Sequence, residues 1–296
     1  MYKNEFETYH PMVSFTYFLL ITVFSCVFMH PVCLALSLMA AFTYFAVTEG
    51  KTAVKKSLVM LPFVFWLGLL NPLFNHQGMN IITYLPGGNP LTLESVLYGV
   101  AASVMVISVI CWFFCMGVVI SGDKLIYLFG KITPSISLVL SMTFRLIPKF
   151  RKELKRVAEA QKCIGKDLAK GSLLRRAKIG MAVLSSVLTS SLENAIDTAD
   201  SMKSRGYGTK KRTAFSLYKI NKRDLCVMAI IIICGTVVIT GGMVGAFKFA
   251  YFPGFNWRKM TPISVIYFAV YAILCFIPHL IELVEVIRWK AIKSRL

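Results

Sequence analysis

Charged residues are absent from the centres of the six longest apolar runs in this sequence. These runs cover about residues 12–29, 31–48, 57–74, 95–120, 225–246 and 262–283. Carriers coupled to protons or sodium usually bind the coupling ion through ionisable groups near mid-membrane. The uncharged centres therefore disfavour a stand-alone secondary transporter, and they disfavour an intramembrane enzyme more strongly.

Catalytic motifs are missing as well. The sequence contains no HExxH pair and no GxSxG nucleophile motif. It also lacks a P-loop, so any ATP that its function requires must be hydrolysed by another chain. We therefore expect a chain that is not an enzyme and that holds no cofactor.

The cysteines lack the partners that a metal site needs. Cys111 and Cys115 lie four residues apart on one predicted helix face, but no His or acidic residue accompanies them. We expect small buried hydrophobic side chains rather than a metal site. Near the N-terminus, two glutamates and the lack of an Ala-x-Ala-like site argue against a cleaved signal peptide.

Apolar residues are abundant. They make up 56% of the sequence, and charged residues only 16%, whereas about a quarter of the residues in soluble domains are charged. Several runs approach the roughly 20 residues that a membrane-spanning helix needs. The sequence predicts an all-α integral membrane protein with about six transmembrane helices.

The positive charge is concentrated in one region. Residues 121–223 hold 22 of the 33 lysines and arginines against 7 acidic residues. Basic loops stay on the cytoplasmic side, so we expect a multi-pass plasma-membrane protein with both termini cytoplasmic. The predicted regions are a transmembrane region at 1–120, a basic cytoplasmic region at 121–223 and a second transmembrane region at 224–296.

The basic region is too polar overall to be expected to span a membrane, yet it has helical periodicity. One helix is predicted to begin at Pro148 and end at Gly165, because proline suits a first helical position. Its apolar stripe is Phe150, Leu154, Val157, Gln161 and Ile164. A second helix is predicted from Ser172, as N-cap, to Ser204, with Gly206 just past its end.

The stripe of the second helix includes small residues that would let another helix cross closely. Its members are Leu174, Ala177, Met181, Leu184, Leu188, Leu192, Ala195, Ala199 and Met202. Attraction to anionic lipid, at about 1 kcal/mol per basic residue, explains the charge but not two such stripes. No nucleic-acid-binding module is recognisable in the region, so we expect membrane lipid and proteins as partners, and no nucleic acid.

Several motifs occur in a characteristic order. NPLF at 71–74 is followed by FRLIPKF at 144–150, EAQKCIG at 159–165, MKSRGYG at 202–208 and KRTAF at 211–215. This order resembles the transmembrane T component of energy-coupling factor (ECF) transporters, the EcfT/CbiQ-like family. These are ABC importers of vitamins and, in some cases, of transition-metal ions.

The resemblance implies two long, crossed cytoplasmic coupling helices that dock on two ABC ATPase subunits. In the family each coupling helix ends in a small-Arg-small motif, and the second motif here would be Ser204-Arg205-Gly206. The family also binds a substrate-binding S component on hydrophobic helix faces. For that face and the helix crossing we expect five residues of the second stripe: Leu184, Leu188, Leu192, Ala195 and Ala199.

The first motif departs from the family pattern. Cys163-Ile164-Gly165 stands where the family usually has Ala-Arg-Gly. Either Lys162 substitutes for the arginine, or the joint between this helix tip and its ATPase is mainly apolar. An apolar joint would favour two non-identical ATPases.

The resemblance thus predicts a coupling subunit that transmits ATP-driven motion to an S component for uptake of a vitamin or other micronutrient. The rival interpretation is a membrane scaffold that does not transport and that binds cytoplasmic partners through the basic helices.

Overall fold

The computed structural model describes residues 5–50, 59, 62, 66, 68–84, 90–132, 134–167, 169, 171–209, 218–254 and 261–293. Most of these residues are helical, which confirms the predicted fold class. The helices are α1 Pro11–Val27, α2 Pro31–Glu49, α3 Leu93–Val119, α4 Gly122–Ile132, α5 Pro134–Cys163, α6 Leu173–Ser204, α7 Lys222–Val244 and α8 Pro262–Lys293. A 3₁₀ helix covers Glu5–Thr8, residues 68–74 are helical, and an antiparallel hairpin pairs β1 Ile81–Tyr84 with β2 Pro90–Thr92.

Five helices of the described chain, α2, α3, α6, α7 and α8, are long and apolar enough to cross a membrane. The 17-residue helix α1 is also apolar. Five of the six predicted spans therefore coincide with apolar helices. The sixth, at 57–74, lies mostly outside the described residues, with 68–74 helical. The chain is a multi-pass, all-α membrane protein.

Helix α6 corrects the expectation that residues 121–223 are uniformly too polar to span a membrane. Its most apolar window has a mean hydropathy of 1.3, against 1.8 to 2.5 for the other four helices. The charge is unevenly distributed: residues 179–192 carry none, whereas Arg175, Arg176 and Lys178 precede them. Averaging the charge over the whole basic region concealed this apolar centre. The cytoplasmic placement of α6 stays a prediction.

Helix α5 corrects a second expectation. It begins at Pro134, not at Pro148, and continues through Pro148 to Cys163. Pro134 takes the first helical position, where proline's missing N–H costs nothing. An interior proline typically costs about 3 kcal/mol, yet Pro148 does not end this helix. The local sequence signal was the same at both prolines, and the helix uses the earlier one.

The chain divides into two compact units, residues 1–121 with 218–296, and residues 122–217. In the first unit α3 packs against α1 and α2, and α8 packs against α2 and α7. The largest side chains fully buried in this unit are aromatic, among them Trp112, Tyr17, Tyr44 and Tyr271. Tyr17 and Trp112 meet edge to face with ring centroids 6.1 Å apart. Aromatic packing thus forms the core of the first unit.

A buried chain of serines joins three helices in this unit. The Ser25 hydroxyl donates to the Ile21 carbonyl at 2.8 Å and lies 2.7 Å from the Ser37 hydroxyl. Ser37 in turn lies 2.6 Å from the Ser108 hydroxyl and accepts from Trp112 Nε1 at 3.0 Å. Because Ser25 has one hydrogen, Ser37 must donate to it, and Ser108 must donate to Ser37. This directed network links α1, α2 and α3.

The first two helices begin in the same way, with a histidine N-cap followed by proline. His10 Nδ1 accepts the Met12 N–H at 3.2 Å, and His30 Nδ1 accepts the Val32 N–H at 3.3 Å. Each cap satisfies one amide at the helix start that has no partner within the helix. Only residues 28–30 separate the two helices, so the connection between them is short.

In the second unit, α5 contacts both α4 and α6. Phe150, Leu154, Val157 and Gln161 are partly buried, while Lys152, Lys155 and Arg156 are exposed. The predicted apolar stripe of α5 is confirmed for these four residues and is wrong for Ile164, which is 67% exposed. Ile164 lies at the tip of α5, directly after its last helical residue.

Candidate functional site

The tip of α6 is a Schellman turn. Ser204 is the last helical residue and Arg205 is the C-cap. Gly206 follows with a φ of 78°, in the left-handed region that glycine adopts without steric cost. The Gly206 N–H donates to the Lys203 carbonyl, and the Tyr207 N–H donates to the Met202 carbonyl, both at 3.0 Å. These two bonds define the motif, and they confirm the predicted cap at Gly206.

The tip of α5 has the same geometry. Cys163 ends the helix, and Gly165 has a φ of 77°. The Gly165 N–H donates to the Lys162 carbonyl, and the Lys166 N–H donates to the Gln161 carbonyl, again both at 3.0 Å. The two long helices therefore end in one turn type, built at sites that share one lysine and the glycine.

This shared turn fixes which residues correspond. Ile164 is equivalent to Arg205, since each directly precedes the left-handed glycine. Lys162 is equivalent to Lys203, because both supply the carbonyl that accepts the glycine N–H. The α6 tip thus has a lysine at that position in addition to its arginine. Lys162 therefore does not occupy the position of Arg205.

Both C-cap side chains are exposed. Ile164 is 67% exposed, and Arg205 is exposed. Within the described part of the chain, the Arg205 guanidinium has neither a hydrogen bond nor an ion pair. Ser204 is occupied locally, because its hydroxyl donates to the Ser201 carbonyl at 2.9 Å. Each tip presents one unpaired side chain on a turn that backbone hydrogen bonds hold in place.

The predicted binding face of α6 is exposed. Leu184 and Leu188 are each 46% exposed and Leu192 is 66% exposed, and Ala195 and Ala199 are also exposed. The role of these five residues is untested and stays a prediction. An exposed leucine row on a 32-residue helix is a large apolar surface for one chain to leave uncovered.

A different face of α6 is buried by the chain itself. It consists of Ile179, Val183 and Val187, which lie about 100° around the helix from the leucine row. Sequence reasoning missed this face, although its signal was a four-residue repeat of β-branched side chains. The small residue Gly180 and the serines Ser190 and Ser191 are partly buried beside it. The helix therefore has one face covered and an adjacent face free.

No group of three or more His, Cys, Asp or Glu residues in the described chain could hold a metal ion. Cys111 and Cys115 are buried, at 1% and 0% exposure. Both thiols are thus buried as small hydrophobic side chains are.

Comparison with known proteins places these motifs in a family. The family model described as "CbiQ: Cobalt transport protein" matches residues 4–215. The chain is 36% identical over 106 residues to the energy-coupling factor transporter transmembrane protein EcfT of Lactobacillus helveticus (strain DPC 4571), covering 35% of this chain and 38% of that protein. It is 34% identical over 105 residues to EcfT of Lactococcus lactis subsp. cremoris (strain MG1363), covering 35% and 40%.

The chain thus aligns with about two fifths of the length of these relatives. The family match is broader, since it extends over most of the chain, from the N-terminal segment past the tip of α6. It includes both helix tips and the exposed leucine row. These matches confirm the resemblance drawn from the motifs: the chain belongs to the CbiQ family of transport proteins.

Proposed function

We propose that this chain is the transmembrane coupling subunit of an ECF-type ABC importer. It transmits the ATP-driven motion of two cytoplasmic ATPase subunits to a substrate-binding S component, for uptake of a vitamin or other micronutrient. ATP hydrolysis takes place in the ATPases. The observation that carries the proposal is the pair of matched, exposed Schellman turns at the ends of α5 and α6, two helices that contact each other.

Arg205 is the docking residue of the α6 tip. Its guanidinium presents five N–H donors in a planar fork and pairs with carboxylates in two parallel hydrogen bonds. The residue is exposed, and its guanidinium makes no hydrogen bond or ion pair with the described residues of its own chain. Gly206 has no side chain, so a partner surface can approach the backbone of the turn closely. An acidic groove on an ATPase subunit is the complementary surface.

Ile164 makes the α5 joint an apolar one. It occupies the position of Arg205 in the shared turn. Lys162 does not replace the missing charge, because Lys162 is equivalent to Lys203 and not to Arg205. Burial of an isoleucine side chain in an apolar pocket stabilises a complex by about 25 cal/mol per Å² buried. In an acidic groove the same side chain would leave a carboxylate without a partner. The two joints therefore fit two non-identical ATPases, one with an acidic groove and one with an apolar groove.

The leucine row of α6, with Ala195 and Ala199, is the face for the S component. The row is exposed while the neighbouring face is already buried. The small residues at its C-terminal end permit close approach of another helix. Motion of the docked tip would shift this row along the S component. Exposed basic side chains on α5 support a position of α5 and α6 on the cytoplasmic side of the plasma membrane. Both termini of the chain would lie on that same side.

The test is co-purification of the full chain with candidate ABC ATPase subunits, comparing wild type with Arg205→Glu. Lys203→Glu is the matched control, because it reverses a charge in the same turn of the same helix. We expect Arg205→Glu to lose the ATPase that docks on α6, since removing one member of a buried charge pair costs about 2–5 kcal/mol. Lys203→Glu should retain it.

Equal retention by the two variants would refute Arg205 as the docking residue. Failure of the wild-type chain to bind any ABC ATPase would refute the coupling function and favour the scaffold interpretation. Size-exclusion chromatography of each variant shows that the membrane protein itself is intact.

A further inference from the structure

Two apolar grooves flank an exposed ridge on α3. The first, of about 520 Å³, lies between α2, α3 and the segment that follows α7. The second, of about 460 Å³, lies between helical residues 68–74, α3 and β2. Val100 lines both grooves, and Leu97 lines the first. These two residues are 50% and 43% exposed, so they form the ridge that separates the grooves.

The lining of both grooves is nearly free of polar groups. The first is lined by residues that include Leu34, Ala35, Leu38, Ala101, Val104 and Phe249. The second is lined by residues that include Leu69, Pro72, Leu73, Leu91, Val96 and Ser103. Ser103 has its hydroxyl bonded to the Gly99 carbonyl of its own helix at 2.8 Å. Tyr251, which also lines the first groove, donates its hydroxyl to the Met29 carbonyl at 2.9 Å. The two hydroxyls on the groove walls are therefore already used within the protein.

The grooves are continuous with the lipid-facing surface of the protein. Leu69 and Leu73, which line the second groove, are 48% and 49% exposed, and Leu93 at the start of α3 is 38% exposed. In a membrane-spanning helix such as α3, exposed apolar residues contact the acyl chains of the bilayer. The mouths of the grooves therefore open towards lipid.

The grooves lie within the depth of one leaflet. Along α3 the first groove extends from Leu97 to Val104, about 10 Å at 1.5 Å per residue, and its far end lies about 16 Å from Leu93 at the start of the helix. Half of a hydrocarbon core of about 30 Å is about 15 Å. The segment 75–92 at this end of α3 contains no Lys, Arg, Asp or Glu. The grooves thus begin about 6 Å inside the start of α3 and end near the bilayer centre.

The mouth of the second groove is held in place by hydrogen bonds. Asn80 Nδ2 donates to the buried Glu94 carboxylate at 2.9 Å, and the Thr92 hydroxyl donates to the Gln77 carbonyl at 2.7 Å. These bonds fasten the β1–β2 hairpin to the start of α3, so that Leu91 of β2 stays on the groove wall. A wall fixed in advance lowers the ordering cost of binding.

We propose that one two-chain phospholipid of this leaflet straddles the ridge of Leu97 and Val100, with one acyl chain in each groove. Two parallel, separate grooves fit two flexible chains joined at a headgroup. A single protein helix fits them poorly, because the ridge prevents one helix from filling both grooves.

The first test is native mass spectrometry of the full chain purified in mild detergent, counting the phospholipids that stay bound. Val100→Phe adds bulk to both grooves, and Ala35→Phe adds bulk to the exposed wall of the first. Val47→Phe is the matched control, since Val47 lies on α2, is 46% exposed and lines neither groove. We expect one retained phospholipid in the wild type and in Val47→Phe, and its loss in the two groove variants.

A wild-type chain that retains no phospholipid, or equal retention by all three variants, would overturn the proposal. A second measurement needs no variant and so does not depend on how a mutant folds. The wild type is reconstituted with a phospholipid that carries a diazirine midway along one acyl chain, and the labelled residues are mapped after irradiation. Labelling concentrated at Leu97, Val100 and Ala35 supports the site. Labelling equal to that of the exposed residues Val23 and Val47 contradicts it.

Discussion

Ile164 and Arg205 occupy the same position in two copies of one turn. Each is the residue before a left-handed glycine, with φ values of 77° at Gly165 and 78° at Gly206. At the α5 tip the Lys166 N–H donates to the Gln161 carbonyl, and at the α6 tip the Tyr207 N–H donates to the Met202 carbonyl, both at 3.0 Å. The backbone thus presents an aliphatic and a cationic side chain in equivalent ways.

The first prediction concerns the conformation of the tips. Gly206→Ala places a Cβ at a left-handed φ, which costs an L-residue about 1–2 kcal/mol. A Cβ here would meet only the Thr209 hydroxyl at 3.5 Å, an ordinary contact, so the cost is conformational rather than steric. We expect hydrogen exchange at the Tyr207 amide, which bonds to the Met202 carbonyl, to speed up about fivefold or more.

The control for this prediction is Gly206→Asn, since asparagine adopts the left-handed conformation more readily than alanine. Exchange should then stay close to that of the wild type. An unchanged exchange rate in Gly206→Ala would mean that the turn does not depend on glycine.

The second prediction concerns partner choice at the α5 tip. Ile164→Arg gives both tips an arginine in the same position of the same turn. If the two ATPases differ, the subunit with the acidic groove should now also bind at α5, and the subunit with the apolar groove should bind more weakly. Binding of each purified ATPase to the variant is measured separately. Unchanged binding of both would show that residue 164 does not select the partner.

The third prediction concerns the serine network. Ser37→Ala removes the acceptor of Trp112 Nε1 and leaves that buried N–H unpaired. Buried hydrogen bonds in membrane proteins contribute about 0.6 kcal/mol on average, up to about 1.7, and an orphaned donor costs about 1–3 kcal/mol. We therefore expect a loss of about 1–2 kcal/mol in the free energy of unfolding, measured by denaturation in detergent micelles.

Ser103→Ala is the matched control for that change. Ser103 is equally buried, but its hydroxyl bonds only to the Gly99 carbonyl one turn earlier in its own helix. Its removal should have little effect. A loss as large as that of Ser37→Ala would indicate a general cost of removing buried hydroxyls and not a role of the network.

The fourth prediction is a pH dependence at the connection between α1 and α2. His30 is buried, and burial lowers its pKa from the usual value of about 6.5. Its Nδ1 must be unprotonated to accept the Val32 N–H. Neutral His30 therefore stabilises the fold above about pH 6.5, and this contribution is lost as the pH falls through the lowered pKa. The unfolding temperature should drop between about pH 7 and about pH 5.

The comparison variant is His30→Asn, whose side chain also caps a helix but does not titrate in this range. As the pH falls from about 7 to about 5, the unfolding temperature of the wild type should drop by more than that of the variant. Parallel pH profiles would exclude His30 as the cause.

The sequence was sufficient where a signal was local. Ser172 and Gly206 delimit α6 correctly, because a cap residue and a left-handed glycine act on their immediate neighbours. The choice between Pro134 and Pro148 as the start of α5 was wrong, because both are locally compatible with a helix start and tertiary context decided. The equivalence of Ile164 and Arg205 became evident only from the hydrogen bonds of the two turns.

Features that join distant residues could not be predicted. The contact of Ser37 with Ser25 and Ser108 requires three helices to be rotated so that small hydroxyls meet, and no periodicity in any one helix reports that rotation. The buried face at Ile179, Val183 and Val187 was missed for a similar reason. The leucine row nearby is more hydrophobic, and hydrophobicity does not tell whether a face is covered by the same chain or by another.

The direction of the serine hydrogen bonds has a mechanical consequence. Every donor in the chain from Ser108 through Ser37 to Ser25 has one acceptor, and the last hydrogen ends on the Ile21 carbonyl. Sliding any one of α1, α2 and α3 past its neighbours would break a bond that no nearby water can replace. At about 0.6 kcal/mol per bond, the network adds a small resistance to sliding and favours one register of α1, α2 and α3.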